Sequence, residues 1–585
     1  MIRTFFKFIF RTFFWICALL GFIFVSLGLV FYFVGFNVLT PAPKPLAQDS
    51  VLSLTLQGSY VEHTSSKGLD LVGGASLYDL TRAIYQAAQD PSIRGILVRL
   101  EDPDLGMAQF QEVREALLAF RKTGKPSWCY TESFGEVSSG TNPYYLATAC
   151  EEIWVQPLAT VNLTGLQTDI LCAKGALEKL GVKPEFIQKK EYKSFVEMFT
   201  RENCSEASRE AKQAILDSIL DQIVDGIAKD RKLSHDQVRD LINKGPYLAQ
   251  EAYAAKLIDR IDFYQNLKPA IQEKLGHAIA FIGERSYLST LSQQERGNKV
   301  ALIFGSGSIQ RGKTGSLGIS VEATSKAFQA AMFDPEVKAI VYRVNSEGGS
   351  PIAAEAIYNM IHYVQDYAKK PVIISMSDAA ASAGYWISLA GSKIVAHPAT
   401  LTGSIGVFGG KFVLTGLFEK LGISWDHVST SENASMWSFN ESYTPDQWLK
   451  LNAWTDQVYD TFTRHVAKDR NIDPLQVEKV ARGRVWTGEQ AMALGLVDQM
   501  GGLQTALALA KQEGGLSPEA RAEVYPRSLT LLEMILSLLE DTEEDFFSQV
   551  NVFNSFLDSF KQLKMVLAIL FSSQEIVYAP LGKIK

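Results

Sequence analysis

At 585 residues the chain has room for two to four domains, and its 47% hydrophobic and 21% charged content is that of globular material, which excludes wholesale disorder. The net charge of -7 gives no basis for a nucleic-acid partner. The five cysteines (Cys17, Cys129, Cys150, Cys172 and Cys204) form no C-x-x-C pair and no Cys/His cluster at zinc spacing, so buried thiols are expected rather than a disulfide framework, with no metal and no organic cofactor indicated.

In chain order, the first segment is a basic end followed by a long apolar run. Arg3, Lys7 and Arg11 precede a stretch from Thr12 to Pro43 that carries no charge. It exceeds the roughly 20 residues that cross a bilayer and is too long for the apolar core of a cleaved signal peptide. Residues 1–45 therefore read as a cytoplasmic basic end and a single membrane-anchoring helix. Positive charge ahead of the span keeps the N-terminus cytoplasmic and leaves the remainder facing outward.

Beyond the anchor the chain repeats itself. "DPSIRGILVRL" from Asp90 matches "DPEVKAIVYRV" from Asp334, and "GKPSWCY" from Gly124 matches "KKPVIIS" from Lys369. "YYLATACEEIWVQP" from Tyr144 matches "YWISLAGSKIVAHP" from Tyr385, and "LEKLGVKPEF" from Leu177 matches "FEKLGISWDH" from Phe418. "GPYLAQEAYAAKLID" from Gly245 matches "GRVWTGEQAMALGLVD" from Gly483. The same order at nearly constant separation defines two copies of one domain, 46–285 and 298–525, followed by a helical tail, 526–585. In that tail Leu531, Leu532, Ile535, Leu538 and Leu539 share one helical face, and Met565 to Phe571 is too short to span a membrane.

Each copy alternates short β-branched runs with helical patterns. In the second, "KVALIFGSGSI", "VKAIVYRVN", "PVIISM" and "SKIVAHP" read as strands. "VEATSKAFQAAMF", "PIAAEAIYNMIHYVQDYA" and "AASAGYWISLAG" read as helices. The alternation predicts an α/β fold with a parallel sheet wrapped by helices, in which ligands sit beyond the carboxyl ends of the strands. Ser346 to Ser350, Ser382 and Thr402 to Gly406 all follow predicted strand ends.

The copies differ where chemistry is concerned. Ser382 aligns with Thr141, Gly384 with Pro143, and the pair Gly348–Gly349 has no counterpart in "LEDPDLGM". Conversely Lys193, in "KKEYKSFVEMFTREN", aligns near Ala434. One copy keeps a lysine and the other a serine. A serine hydroxyl needs a base, and a lysine whose pKa is brought down from about 10.4 by burial can serve as one. No histidine lies in the motifs around Ser346 to Ser350 and Ser382; His397 and His427 read as structural. "GSGS" at 305–308 lacks the G-K-[ST] of a phosphate loop.

"VNSEGGS", "AAASAGYW", "HPATLTGSIGVFG", "EYKSFVEMFTREN" and "GRVWTGEQAMALGLVD" together resemble the signal peptide peptidase A (protease IV) family in its long, duplicated bacterial form. The resemblance implies a crotonase- or Clp-protease-like fold and one Ser/Lys dyad per chain, formed between the two halves, in a homotetramer on the membrane. It implies Ser382 as nucleophile, Lys193 as general base and Ser404 as the residue that orients the lysine. It also implies the backbone N–H groups of Gly349 and Ala383 as the oxyanion hole, and cleaved signal peptides and other hydrophobic peptides near the membrane as substrates. Glu347 stands where the family usually has Pro, and Ala383 where it usually has Gly, departures that bear on specificity more than on activity. Two other classes remain: a catalytically silent, membrane-anchored scaffold that binds peptides, and, by fold analogy alone, an acyl-CoA hydratase or isomerase. The outward orientation weighs against the latter.

Overall fold

The computed structural model describes residues 21–23, 26, 49–64, 75–276, 278–291, 297–312, 318–527 and 577–578. Among the described residues no helix is long and apolar enough to cross a membrane. The expected anchor lies outside them except for 21–23 and 26, as does the expected helical tail except for 526, 527, 577 and 578.

Two sheets carry the chain, and their strands follow one order. The first runs Ala280–Gly283, Ser50–Val61, Ile93–Asp104, Ser127–Thr131, Glu152–Val155, Arg260–Ile261, every neighbouring pair parallel. The second places Arg521–Tyr525, Lys299–Ser306, Val337–Ser346, Val372–Ala381, Lys393–Ala396 and Gln499–Met500 in the same succession, again parallel. Val372–Ala381 has a further neighbour, Leu401–Gly403, which pairs antiparallel with Val485–Thr487. The buried runs Ile340–Val341–Tyr342 and Ile373–Ile374 show why the pattern was near-continuously apolar: helices cover both faces of a parallel sheet. On one face lies the helix Pro351–Ala368. Ser350 caps it by accepting from the Ala353 N–H, Pro351 occupies its first turn, and Lys369 ends it in the left-handed conformation. Ala353, Ala354, Ile357, Ile361 and Val364 form its buried stripe at helical spacing, each aliphatic side chain of Ile size contributing about 1.5–3 kcal/mol.

The copies also share their polar anchors. Tyr144 donates its hydroxyl to the Leu257 carbonyl at 2.8 Å, and Tyr385 does the same to Leu496 at 2.9 Å. Arg231 pairs with Asp259 as Arg470 pairs with Asp498, and each aspartate accepts the N–H of a strand residue, Ile153 or Ile394. Lys125 and Lys370 each donate to carbonyls closing a helix, including those of Asp90 and Asp334. These are not surface coincidences: both tyrosines are fully buried.

Several contacts join the copies. The strand Lys183–Lys189 of the first pairs antiparallel with Val407–Val413 of the second, from Val407↔Lys189 to Val413↔Lys183. Phe186, Phe199 and Phe412 pack edge-on and stacked beneath this ribbon, with centroids 5.0–5.9 Å apart. The helix Glu206–Arg231 reaches across so that Glu210 pairs with Arg484, and the Ser218 and Thr487 hydroxyls meet at 3.0 Å. Finally, Glu62 and Glu112 of the first copy close on Arg343 of the second.

Because each buried tyrosine hydroxyl satisfies one buried carbonyl, Tyr144→Phe and Tyr385→Phe are each expected to lose about 1–3 kcal/mol. Urea denaturation of the two variants checks this, and similar losses are expected because the two contacts are built alike.

Candidate active site

The strand Val372–Ala381 ends one residue before Ser382, which serves as N-cap to the helix Ala383–Leu389. Ser382 sits at φ 57°, ψ -120°, a conformation that an L-residue holds only where its surroundings impose it, at a cost of about 1–3 kcal/mol. The imposing contacts are visible: its N–H donates to the Gly403 carbonyl at 2.8 Å and its carbonyl accepts from the Trp386 N–H at 2.9 Å. Ser382 thus stands on a sharp strand-to-helix turn made by Ala-Ala-Ser-Ala-Gly.

Lys193 comes from the other copy, four residues beyond the end of the inter-copy ribbon. Its Nζ lies 2.8 Å from Ser382 Oγ, 2.9 Å from Ser404 Oγ and 3.0 Å from the Ser404 carbonyl oxygen. All three residues are fully buried. A neutral amine has two N–H groups and one lone pair. The carbonyl of Ser404 takes one N–H and its hydroxyl can take the other, which leaves the lone pair to receive the Ser382 proton. Burial pushes the Lys193 amine well below its ordinary range. The backbone is held as tightly as the amine. Gly483 adopts φ 82°, and a Cβ there would stand 2.5 Å from Lys193 N and 2.6 Å from Lys193 Cβ. Only glycine lets the two chains approach so closely. Ser404 is fixed in turn, its N–H donating to the Arg484 carbonyl at 2.7 Å.

The Gly348–Gly349 pair forms a short strand beside Ile309. Ser350 N–H donates to the Ile309 carbonyl at 2.8 Å, so by strand alternation Gly349 N–H faces the opposite edge. On that edge Val577–Tyr578 pairs antiparallel. Gly349 has φ 153°, and a Cβ on it would lie 2.1 Å from the Ile309 carbonyl. The strand is tied to the serine turn: Ser346 pairs with Ala380, and a Cβ on Gly384 would strike the Ser346 carbonyl at 2.6 Å. Ala383 opens the helix after Ser382, where first-turn N–H groups have no intrahelical partner. Beside the glycines, the Glu347 carboxyl is pushed up to about 7 by desolvation, with the Asp378 carboxylate adding to the rise.

Among the described residues the first copy has no equivalent site. Thr141, the counterpart of Ser382, spends its hydroxyl on the Gly165 carbonyl at 3.1 Å. Lys189 and Lys190, sequence neighbours of Lys193, instead pair with Asp456 and Glu478 at the surface. His397 is buried, and burial with the nearby Arg343 charge pushes its imidazole down to about 3, so it stays neutral. His427 is exposed beside Glu441. Among the described residues no cluster of His, Cys, Asp and Glu is arranged to hold a metal. Gly483 and the Arg484 carbonyl were missed in the sequence; both lie within "GRVWTGEQ", a motif matched there for the duplication and the family resemblance but given no role in the site.

Residues 119–277 and 365–517, one stretch in each copy, match peptidase family S49, and residues 323–401 match Clp protease. The protein is therefore a serine peptidase on a duplicated Clp-protease-like α/β fold. It is 31% identical over 568 residues to "Protease 4" of Salmonella typhi, the match covering 91% of each chain. It is 30% identical to "Serine protease SPPA, chloroplastic" of Arabidopsis thaliana, covering 83% of this chain and 72% of that one. "Protease 4" of Haemophilus influenzae is 31% identical, over 75% and 73%. The chain belongs to peptidase family S49.

Lys193 also links stability to pH. Between its lowered native midpoint and its ordinary 10.5, the unfolded chain holds a proton there that the native chain does not, so stability falls as pH falls through that window. Lys193→Met removes this loss. The melting temperature of the variant relative to the parent is expected to be higher at pH 7 than at pH 10; a difference independent of pH would mean that Lys193 folds in protonated.

Proposed function

We propose that the protein is a membrane-anchored serine endopeptidase whose nucleophile is Ser382 and whose general base is Lys193. It would degrade cleaved signal peptides and other hydrophobic peptides close to the membrane. The observation that carries this reading is the 2.8 Å contact, across the two copies, between the buried Lys193 Nζ and Ser382 Oγ. Lys193 Nζ takes the hydroxyl proton as Ser382 Oγ bonds to the scissile carbonyl carbon. The Gly349 and Ala383 N–H groups stabilise the oxyanion, each such donor supplying about 2.7–4 kcal/mol. The ammonium of Lys193 then returns its proton to the leaving amine, and the acyl-serine ester forms. Water enters, gives a proton to Lys193 and attacks the ester, and Ser382 leaves with that proton restored. Ser404 keeps two of the amine's three positions occupied, so that the third always meets Ser382. An extended peptide can pair along the outer edge of Gly348–Gly349, as Val577–Tyr578 of this chain does.

The uncharged run from Thr12 to Pro43 supports anchoring in the bacterial inner membrane, with the copies on the periplasmic side. The family resemblance supports a homotetramer. Hydrophobic signal peptides left in the bilayer suit a protease held beside it.

Labelling with a serine-reactive probe tests the dyad. Wild-type protein is expected to label, and Ser382→Ala and Lys193→Ala are each expected to lose labelling. The acid limb of kcat/KM should follow the deprotonation of Lys193, with a midpoint below the ordinary lysine value. Labelling retained in Lys193→Ala discards Lys193 as base, and a folded wild-type protein that never labels points instead to a silent scaffold.

A further inference from the structure

The first copy contributes a second group to the region of the site. Arg343 lies on the strand Val337–Ser346, three residues before Ser346 leads into the Gly348–Gly349 strand. Its guanidinium reaches sideways to the serine-bearing strand, donating to Ser375 Oγ at 3.0 Å, the Met376 carbonyl at 3.3 Å and Ser377 Oγ at 3.0 Å. Its charge, however, is met from the other copy. Nε donates to Glu62 Oε2 at 2.8 Å and Nη2 to the Glu112 carboxylate. Side-chain exposure is 1% for Arg343, 4% for Glu62 and 5% for Glu112.

Glu62 does more than neutralise. Its Oε1 accepts from Gln109 at 2.8 Å within its own copy, and from Asn345 Nδ2 at 3.1 Å and the Ser377 hydroxyl in the second copy. Asn345 in turn accepts the Ala379 N–H at 3.2 Å, three residues short of Ser382. One buried carboxylate thus holds the ends of both strands that lead into the serine turn and the glycine strand. Replacing a buried ion pair by packed apolar groups is often neutral or stabilising, so stability alone does not account for this set. What charged, directional bonds add is a fixed separation between the two strand ends.

We propose that Glu62, acting through Arg343 and Ser377, is a positioning residue for catalysis: the first copy sets the spacing between the nucleophile and the oxyanion-binding strand as well as supplying the base. The inference rests on the reading of Ser382 as nucleophile. It extends that reading by making the docking of the copies a determinant of transition-state geometry.

The test uses the full chain, with the serine-reactive probe counting competent sites and a chromogenic peptide reporting turnover per site. Glu62→Gln keeps the shape and weakens the clamp. It is expected to lower kcat per labelled site on the order of 10–100-fold, the cost of a misplaced transition state, with KM and the acid-limb midpoint unchanged. Unchanged kcat per labelled site overturns the proposal, since the group then serves folding alone. A shifted acid limb also overturns it, because Glu62 would then act through Lys193. If Glu62→Gln does not fold, Ser377→Ala decides: a several-fold fall in kcat at constant KM supports the clamp, and wild-type kcat rejects it. Ser382→Ala run alongside separates the two readings. If the wild type turns over and Ser382→Ala does not, a negative result for Glu62 concerns only the clamp. If Ser382→Ala remains active, the nucleophile itself has been misassigned.

Discussion

Everything at the serine depends on the antiparallel ribbon between Lys183–Lys189 and Val407–Val413. A lysine amine on a flexible four-carbon stem is ordinarily found in water, because burying it costs several kcal/mol. Here the ribbon delivers Lys193 to a place where the second copy has already closed around it, with Gly483 against its backbone and Ser404 against its amine. The ribbon is itself stabilised by aromatic packing and seven residue pairs, contacts remote from the chemistry. The desolvation of the amine is therefore sustained by folding energy drawn from elsewhere in the interface.

That interface is unusual in what it buries. Most of each sheet's interior is aliphatic, yet the meeting of the copies holds Lys193, Arg343, Glu62 and Glu112, all nearly inaccessible. Burial pushes the lysine amine well below its ordinary range, while two carboxylates hold the arginine above its own. The same boundary thus disfavours the charge of one basic side chain by drying it and supports that of another by pairing it. The difference follows from the two side chains: ammonium groups release a proton when dried, whereas guanidinium holds its charge and offers a planar fork to carboxylates.

The strands and helices of each copy were legible because parallel sheets demand β-branched runs between helical patterns, and the duplication doubled the signal. Ser382 was legible from the asymmetry between copies. Lys193 was not distinguishable on local grounds from Lys189 and Lys190, two ion-pair partners within four residues of it; the comparison of the copies pointed to it and the family pattern singled it out. The Arg343 cluster was invisible. Arg343 aligns with Arg99, yet Arg99 is partly exposed, paired with Glu101 and Glu132 and lying over the Tyr264 ring. The same residue at the same place in the repeat has two fates, decided by which face meets the other copy. A pattern read along the chain cannot carry that, since Glu62 and Arg343 are 281 residues apart.

The division of the site between copies has a consequence for how the chain is made. Lys193 leaves the ribosome 189 residues ahead of Ser382, and the strand that pairs with its ribbon follows later still. A nascent chain bearing only the first copy has a lysine in water, fully protonated, and no hydroxyl to activate. On the dyad reading, hydrolytic power arises only when the second copy has folded and docked, because docking is what dries the amine. Such a chain needs no removable propeptide to stay inert during synthesis: its latency is written into the order of translation.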